Sequence, residues 1–223
     1  MNAPLNRPAG PIHLRSLGEA LLQHGEAFRF SKGETLWSQD TAATHLVVVR
    51  TGGIKLVRAW DGGRAPVMSL VFRGGVAGEM AALPGALYAD TAVALTRGKG
   101  VRISMEELAV LVAEQPALAG MLLRTSLERQ HEFAHRLEEL GHGSVEDRLA
   151  RVLLRIGDRV GLRDARGTFV PIKLSRNDLA EMVGCRVETA IRVMTRWQRE
   201  GLVETRREGL ILCDPASLEM AVA

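Results

Sequence analysis

The period of the apolar positions changes along the chain. From Phe28 to about Ile103, short β-type runs alternate with glycines: His45 to Arg50, Ile54 to Trp60, Pro66 to Phe72, Thr91 to Leu95 and Val101 to Ile103. Between them stand Gly52-Gly53, Asp61-Gly62-Gly63 and Gly74-Gly75. Glycine supplies the positive φ that tight hairpin turns need. Short, regularly spaced strands joined in this way predict a sandwich or barrel. Ahead of them, a Pro-rich arm over residues 1–11 leads into a short helix around Leu14 to Gln23.

After Ile103 the glycines thin out and the period becomes helical. Ser104-Met-Glu-Glu107 is a capping-box pattern. Pro116 suits the first turn of a helix that runs to Leu140. On it Leu118, Leu122, Thr125, Arg129, Phe133, Arg136 or Leu137, and Leu140 fall near one stripe. A face so mixed packs either on its own domain or on a second subunit, and the pattern leaves both open. Gly141-His-Gly143 reads as a hinge. Ser144-Val-Glu-Asp147 then caps a helix with a clean stripe of Val145, Leu149, Val152, Leu153, Ile156 and Val160. A polar loop from Gly161 to Gly167 and a β-type stretch from Phe169 to Leu174 follow.

The most informative stretch is 175–200. Ser175-Arg-Asn-Asp178 is another N-cap pattern, opening a short helix that carries Leu179, Met182 and Val183 and stops at Gly184. A second helix runs from about Val187 to Arg199 and stops at Gly201. Two short helices joined by a glycine-containing turn make a helix-turn-helix. Ala190, Val193, Met194 and Trp197 share one face of the second helix; Glu188, Ile191, Arg192 and Thr195 share the other. Arginine can donate a bidentate pair to guanine, and glutamate can accept from the cytosine amino group, which makes Glu188 and Arg192 candidates for base contacts. Ser175, Arg176, Thr189 and Thr195 are candidates for phosphate contacts. Beyond them, two β-type runs flank Arg206-Arg-Glu-Gly209, a hairpin with a basic tip, so Arg206 and Arg207 join the phosphate set.

Composition localises this signal. The chain has 223 residues, 46% of them hydrophobic and 25% charged, enough apolar material for two small cores. The formal net charge is only +3. A basic binding face must therefore be local, and residues 173–207 alone carry eight basic against five acidic side chains. Cys185 and Cys213 lie in no metal-binding spacing and read as reduced structural thiols. His131 and His135 have metal spacing on a helix, but solvated histidines are the simpler reading; His24 and His45 are single. No apolar leader and no run long enough to span a bilayer is seen, so a cytoplasmic protein without membrane contact is expected. No Ser/His/Asp, metal–carboxylate or P-loop pattern suggests an enzyme.

The segment Leu174-Ser-Arg-Asn-Asp-Leu-Ala-Glu-Met-Val-Gly-Cys-Arg-Val-Glu-Thr-Ala-Ile-Arg-Val-Met, with its core Gly184-Cys185-x-Val187-Glu188-Thr189-x-x-Arg192, resembles the DNA-binding region of the CRP/FNR family of transcription regulators. Upstream, Lys32-Gly33-Glu34, Gly52-Gly53, Asp61-Gly62-Gly63 and Gly78-Glu79 look like that family's effector domain. The resemblance spans about residues 27–214. It implies an α+β fold: a cyclic-nucleotide-binding-type β-roll over 1–115, a dimerisation helix over 116–140 and a winged helix-turn-helix over 141–223. It also implies a homodimer on palindromic double-stranded DNA, and contact with RNA polymerase. Val187 makes the recognition helix look like the FNR branch, with Glu188 and Arg192 on a G·C pair; Ile191 departs from that branch and would meet a thymine methyl. The competing reading is a cyclic-nucleotide or other small-ligand-binding module that does not bind DNA.

For the effector, the resemblance argues by exclusion. Asp90-Thr91 stands where the cAMP-binding branch has an arginine–serine pair for phosphate, and a carboxylate there repels an anion. Phe133-Ala134 falls where that branch touches adenine. Binding of cAMP is therefore not expected. An iron–sulfur cluster is excluded because no cysteine lies in the effector region. Haem or metal is not expected, and no cofactor is assigned. Glu79, Tyr88, Asp90, Thr91 and Arg129 are the candidate effector pocket.

Overall fold

The computed structural model describes residues 12–59, 66–141 and 143–220. The expected N-terminal arm, the Asp61-Gly62-Gly63 turn, Trp60 and His142 lie outside them. Helix α1 (Ile12–Leu21) leads into β1 (Glu26–Phe30), β2 (Thr35–Trp37), β3 (His45–Thr51), β4 (Gly53–Val57), β5 (Val67–Phe72), β6 (Val76–Ala77), β7 (Thr91–Ala94) and β8 (Gly98–Ser104). Then come α2 (Met105–Glu114), α3 (Ala117–Gly141), α4 (Val145–Val160), β9 (Leu162–Asp164), β10 (Gly167–Val170), α5 (Arg176–Val183), α6 (Val187–Arg199), β11 (Val203–Arg206), β12 (Gly209–Leu212) and α7 (Pro215–Met220).

The first eight strands form two four-stranded antiparallel sheets, in the orders β1-β8-β3-β6 and β2-β7-β4-β5. Phe30, Trp37, Val47, Val49, Ile54, Leu56, Val71 and Tyr88 fill the space between them. The alternate residues of β3, Leu46 and Val48, face the other way, onto Leu17, Leu21, Leu108, Leu111, Leu118 and Leu122 of the helices. A strand covered on both faces reads as a continuous apolar run, which is why Leu46-Val-Val-Val49 has no polar alternation. Gly98 is required by packing: a Cβ there would meet the Thr51 carbonyl oxygen at 2.2 Å and the Phe30 ring at 2.4 Å.

Several expectations need correction. β1, β2 and β6 carry too short a pattern to stand out in the sequence, yet each pairs with a neighbouring strand. The supposed polar loop 161–167 contains β9, which pairs with β10. Ser104 caps α2 by accepting from the Glu107 N–H at 3.0 Å, but Glu107 does not reciprocate. Its carboxylate accepts from the Gly25 N–H at 2.8 Å, so the box is half formed and tethers the start of β1.

Helix α3 resolves the two alternatives left by its mixed stripe. Leu118, Leu122, Thr125, Arg129, Phe133 and Arg136 are all buried against the chain's own β-roll and α4 unit. On the opposite side Gly120, Leu123, Leu127, Gln130, Ala134, Leu137 and Gly141 are all exposed. They recur at alternating intervals of three and four, the period of a coiled-coil seam.

The last third of the chain packs on a core of Leu149, Leu153, Ile156, Leu179, Val183, Met194, Trp197, Val203 and Leu212, with Val67, Phe72 and Leu95 of the β-roll drawn into it. Polar links cross the same junction. Lys32 donates to Asp178 at 2.6 Å, Lys55 pairs with Glu181, and Arg159 donates to the Leu70 carbonyl and to Glu132, each at 2.7 Å. The helix α5 therefore rests directly on the β-roll.

Candidate nucleic-acid interface

Helix α5 starts at a complete capping box. The Ser175 hydroxyl accepts from the Asp178 N–H at 3.0 Å, and Asp178 accepts from the Ser175 N–H at 2.8 Å. Ser175 Oγ also donates to Asp178 at 2.7 Å. Burial pushes the Asp178 pKa up, but the Lys32 ammonium and the cap outweigh it and the net shift is downward. The hydroxyl expected to meet phosphate is thus committed to the cap, as is the Ser175 N–H. The helix ends at Gly184, whose φ of 67° is left-handed, a conformation that costs glycine least.

That turn sets the angle at which α6 leaves. Ala190, Val193, Met194 and Trp197 are buried, as their spacing predicts, while Glu188, Ile191 and Arg192 are exposed together on the far face. Thr189 and Thr195 are half-buried at its margins. A 46% exposed isoleucine between two charged side chains has no fold to stabilise where it sits. Among the described residues Arg192 makes no ion pair, nor do Arg186 and Arg199. These last two were counted in the basic balance but not assigned a contact; their freedom from acids is visible only in three dimensions.

The other cations divide differently. Arg196 is tied to Glu146 of α4 and, at 3.6 Å, to Glu200. Arg206 is held by Glu204 and Asp164 at 3.3 and 3.7 Å, whereas Arg207, 94% exposed at the tip of the β11–β12 hairpin, pairs with its exposed neighbour Glu208 at 3.6 Å. Arg176 donates to Thr205 at 3.1 Å and to Gln198 at 3.4 Å, so one side chain joins α5, α6 and the wing. The result is two helices and a hairpin held rigidly to one another, presenting Glu188, Ile191, Arg192 and Arg207 outward.

Two family models match this chain: a Crp-like helix-turn-helix domain over residues 147–221 and a cyclic nucleotide-binding domain over 27–115. The chain belongs to the CRP/FNR family of transcription regulators. Among its relatives, a CRP-like cAMP-activated global transcriptional regulator of Mycobacterium tuberculosis is 21% identical over 89% of each chain. The nitrogen fixation regulation protein FixK of Bradyrhizobium diazoefficiens is 26% identical over 89% of this chain and 83% of its own. The solved structure of FixK2 from Bradyrhizobium japonicum shares the fold with a TM-score of 0.78 at 19% identity, covering 90% of this chain and 98% of that one. This regulator is therefore a DNA-binding protein with a helix-turn-helix, and the reading as a ligand-binding module without DNA contact is not favoured.

In this CRP/FNR regulator the region of the candidate effector pocket is packed. Arg129 reaches in from α3 and uses every arm. Nε donates to Glu79 at 2.9 Å, Nη2 to the Val76 carbonyl at 2.9 Å, and Nη1 to Glu132 at 3.0 Å and to the Ser69 hydroxyl. The Arg129 and Glu79 side chains are 2% and 1% exposed. Burial opposes the guanidinium charge, but Glu79 and Glu132 more than offset it and raise its pKa. Asp90 is buried beside them, and its pKa is pushed up to about 6, first by desolvation and then by the Glu79 charge. Tyr88 is not part of this group. It stacks on Trp37 at 4.6 Å and its hydroxyl donates to the His45 carbonyl at 2.6 Å, which makes it a core residue. Thr91 accepts from the Gln39 N–H at 2.9 Å. The open space lies outside this cluster, in a cleft of about 750 Å³ between the β-roll and α3, bordered by Arg58, Met68, Gln130, Phe133 and Leu137.

Proposed function

We propose that the chain regulates transcription as a homodimer on a palindromic operator, joined along the exposed seam of α3, and that it does so without cAMP. The observation that carries the reading is the outward face of α6, where Glu188, Ile191 and Arg192 stand exposed and unpaired on a helix whose opposite face is fully buried. In this reading Glu188 and Arg192 contact a G·C pair and Ile191 a thymine methyl. Arg176, Thr189, Thr195, Arg206, Arg207 and the first turn of α5, which Ser175 caps, position the phosphates. Residues 1–115 act as the effector unit, 116–140 as the dimerisation helix and 141–223 as the DNA-binding unit. The setting is the cytoplasm, RNA polymerase is the partner on DNA, and the chain performs no catalysis.

The seam supports the dimer. Leu123, Leu127 and Leu137 are 63%, 53% and 48% exposed in the single chain, an arrangement water disfavours unless a second helix covers it. Leu127→Glu should give monomers by sedimentation and lose operator binding. A monomer in the wild type would overturn the reading. The Arg129–Glu79 cluster and the neighbouring Asp90 argue against a cyclic phosphate: the pocket's cation is spent on carboxylates. Genome-wide footprinting with in vitro transcription lacking added ligand tests the whole proposal. It should yield a two-fold symmetric site and a change in transcription. Micromolar cAMP binding by calorimetry would refute the effector part.

A further inference from the structure

The junction between the β-roll and the DNA-binding unit holds a small cavity crowded with arginine. It measures about 20 Å³, above the roughly 10–15 Å³ that one water-sized species needs. Four elements meet at it. Ser69 comes from β5, Glu132 and Arg136 from α3, Arg155 and Arg159 from α4, and Met182 from α5. The nearby carboxylates are already engaged. Glu139 accepts from Arg136 Nη1 at 2.9 Å and from Arg155. Glu132 accepts from Arg159 at 2.7 Å, from Arg129 at 3.0 Å and from the Ser69 hydroxyl at 2.8 Å. Arg136, Arg155 and Arg159 thus share two carboxylates, one of which also serves Arg129, and positive charge is left in excess.

One donor at this cavity has no acceptor. Arg136 Nε donates to the Val67 carbonyl at 2.9 Å and Nη1 to Glu139. Its Nη2, on a side chain only 3% exposed, has no hydrogen-bond partner among the described residues. Leaving a buried donor of a charged group unmatched is costly. Burial pushes the Arg136 pKa down; Glu139 opposes this, Arg155 and Arg148 add to it, and the net shift is downward. A water would give Nη2 an acceptor and leave the charge excess in place. An anion answers both. A cavity this small admits a monatomic ion and is too tight for a phosphate or an organic carboxylate. Ile156 and Met182 make part of its wall apolar, which strengthens the attraction between an ion and the guanidiniums. Arg155 and Arg159 are 30% and 26% exposed, so α4 leaves the cavity a route to solvent.

We propose that Arg136, together with Arg155 and Arg159, binds a single chloride-sized halide ion in this cavity, and that the ion ties the β-roll, α3, α4 and α5 to one another. Neither the operator nor the recognition helix takes part in this site, so it stands apart from the function proposed above. By mass action the ion stabilises the docked arrangement more as its concentration rises.

The test is thermal unfolding of the full chain at one ionic strength, with sodium chloride exchanged for sodium gluconate. The wild type should melt about 2–6 °C higher in chloride, and bromide should substitute for chloride. Arg136→Gln and Arg155→Met should lose that difference. Chloride NMR reads binding directly: the wild type should broaden the chloride line, added bromide should narrow it again, and Arg155→Met should broaden it far less. That comparison holds even where Arg136→Gln fails to fold. Equal melting temperatures in the two salts, or an unbroadened chloride line, overturn the proposal and leave a water at Arg136. A chloride effect that a folded variant keeps places the ion elsewhere and overturns it as well. A bromide-soaked crystal should show an anomalous peak within hydrogen-bonding reach of Arg136 Nη2. Such a peak with no effect in solution is binding at crystal concentration only, which also overturns it. None of these measurements involves DNA, so their failure leaves the operator reading intact.

Discussion

Arg129 and Arg192 are the same residue in opposite circumstances. Arg129 is 3% exposed and its donors are shared among Glu79, Glu132, Ser69 and the Val76 carbonyl. Arg192 is exposed on α6, with no ion pair among the described residues. A guanidinium whose every nitrogen is hydrogen-bonded inside the protein holds structure together. One that is anchored by its helix but left unsatisfied is ready for a partner that brings acceptors. The contrast extends to the regions around them: the β-roll interior is shut by its own charges, and the recognition face is left open.

The comparison predicts that damage to the interior is read as stability and damage to the face as affinity. The largest effect should come from Arg129→Met. Removing the cation strands Glu79 in a buried site and leaves Glu132 with Arg159 as its cation, and loss of one partner of a buried pair typically costs about 3–5 kcal/mol. Urea denaturation should show it. A value within the surface range would mean the cluster is solvated.

Next is Asp90→Asn. Its folded pKa of about 6 exceeds the usual unfolded value, so the folded state binds the proton more tightly. The stability associated with that proton is fully present below the unfolded pKa, near 4, and is lost as pH rises through about 6. At pH 8 the amide should be more stable than the wild type by up to about 3 kcal/mol, and the fall in melting temperature between pH 4 and 6 should flatten. An unchanged pH profile would show that Asp90 is ionised without penalty.

Arg192→Ala should leave unfolding nearly unchanged while costing about 1–3 kcal/mol of operator affinity and relaxing one base position. Equal discrimination in a gel shift would remove Arg192 from the base-reading set. The smallest effect is expected for Ser175→Ala, about 1 kcal/mol of stability through loss of the cap. Its DNA affinity should stay close to the wild type, because the hydroxyl is already engaged with Asp178. A large affinity loss with intact stability would return that hydroxyl to the phosphate contacts.

The helix-turn-helix was legible because its signals are local. A capping serine, a left-handed glycine and a stripe at helical spacing act within a few residues, and α6 spans Val187–Arg199 as that pattern predicts. The two-faced character of β3 and the pairing of β1, β2 and β6 were not legible, since they depend on what lies opposite. The effector region was half legible. Glu79, Asp90 and Arg129 do come together, but Tyr88 is claimed by the core through Trp37, a residue 51 positions away in sequence.

The sequence by itself determined the main helices and the longer strands, where the recognition helix begins and ends, and which of its side chains face away from the core. Those follow from propensity, caps and period, all short-range. Only the tertiary structure decided which stripe of α3 is inward, that Arg129 is consumed by Glu79 and Glu132, and that Arg192 is left, among the described residues, without an acid. Whether a charge is spent or available depends on neighbours brought together across long loops, and such neighbours leave no periodic trace along the chain.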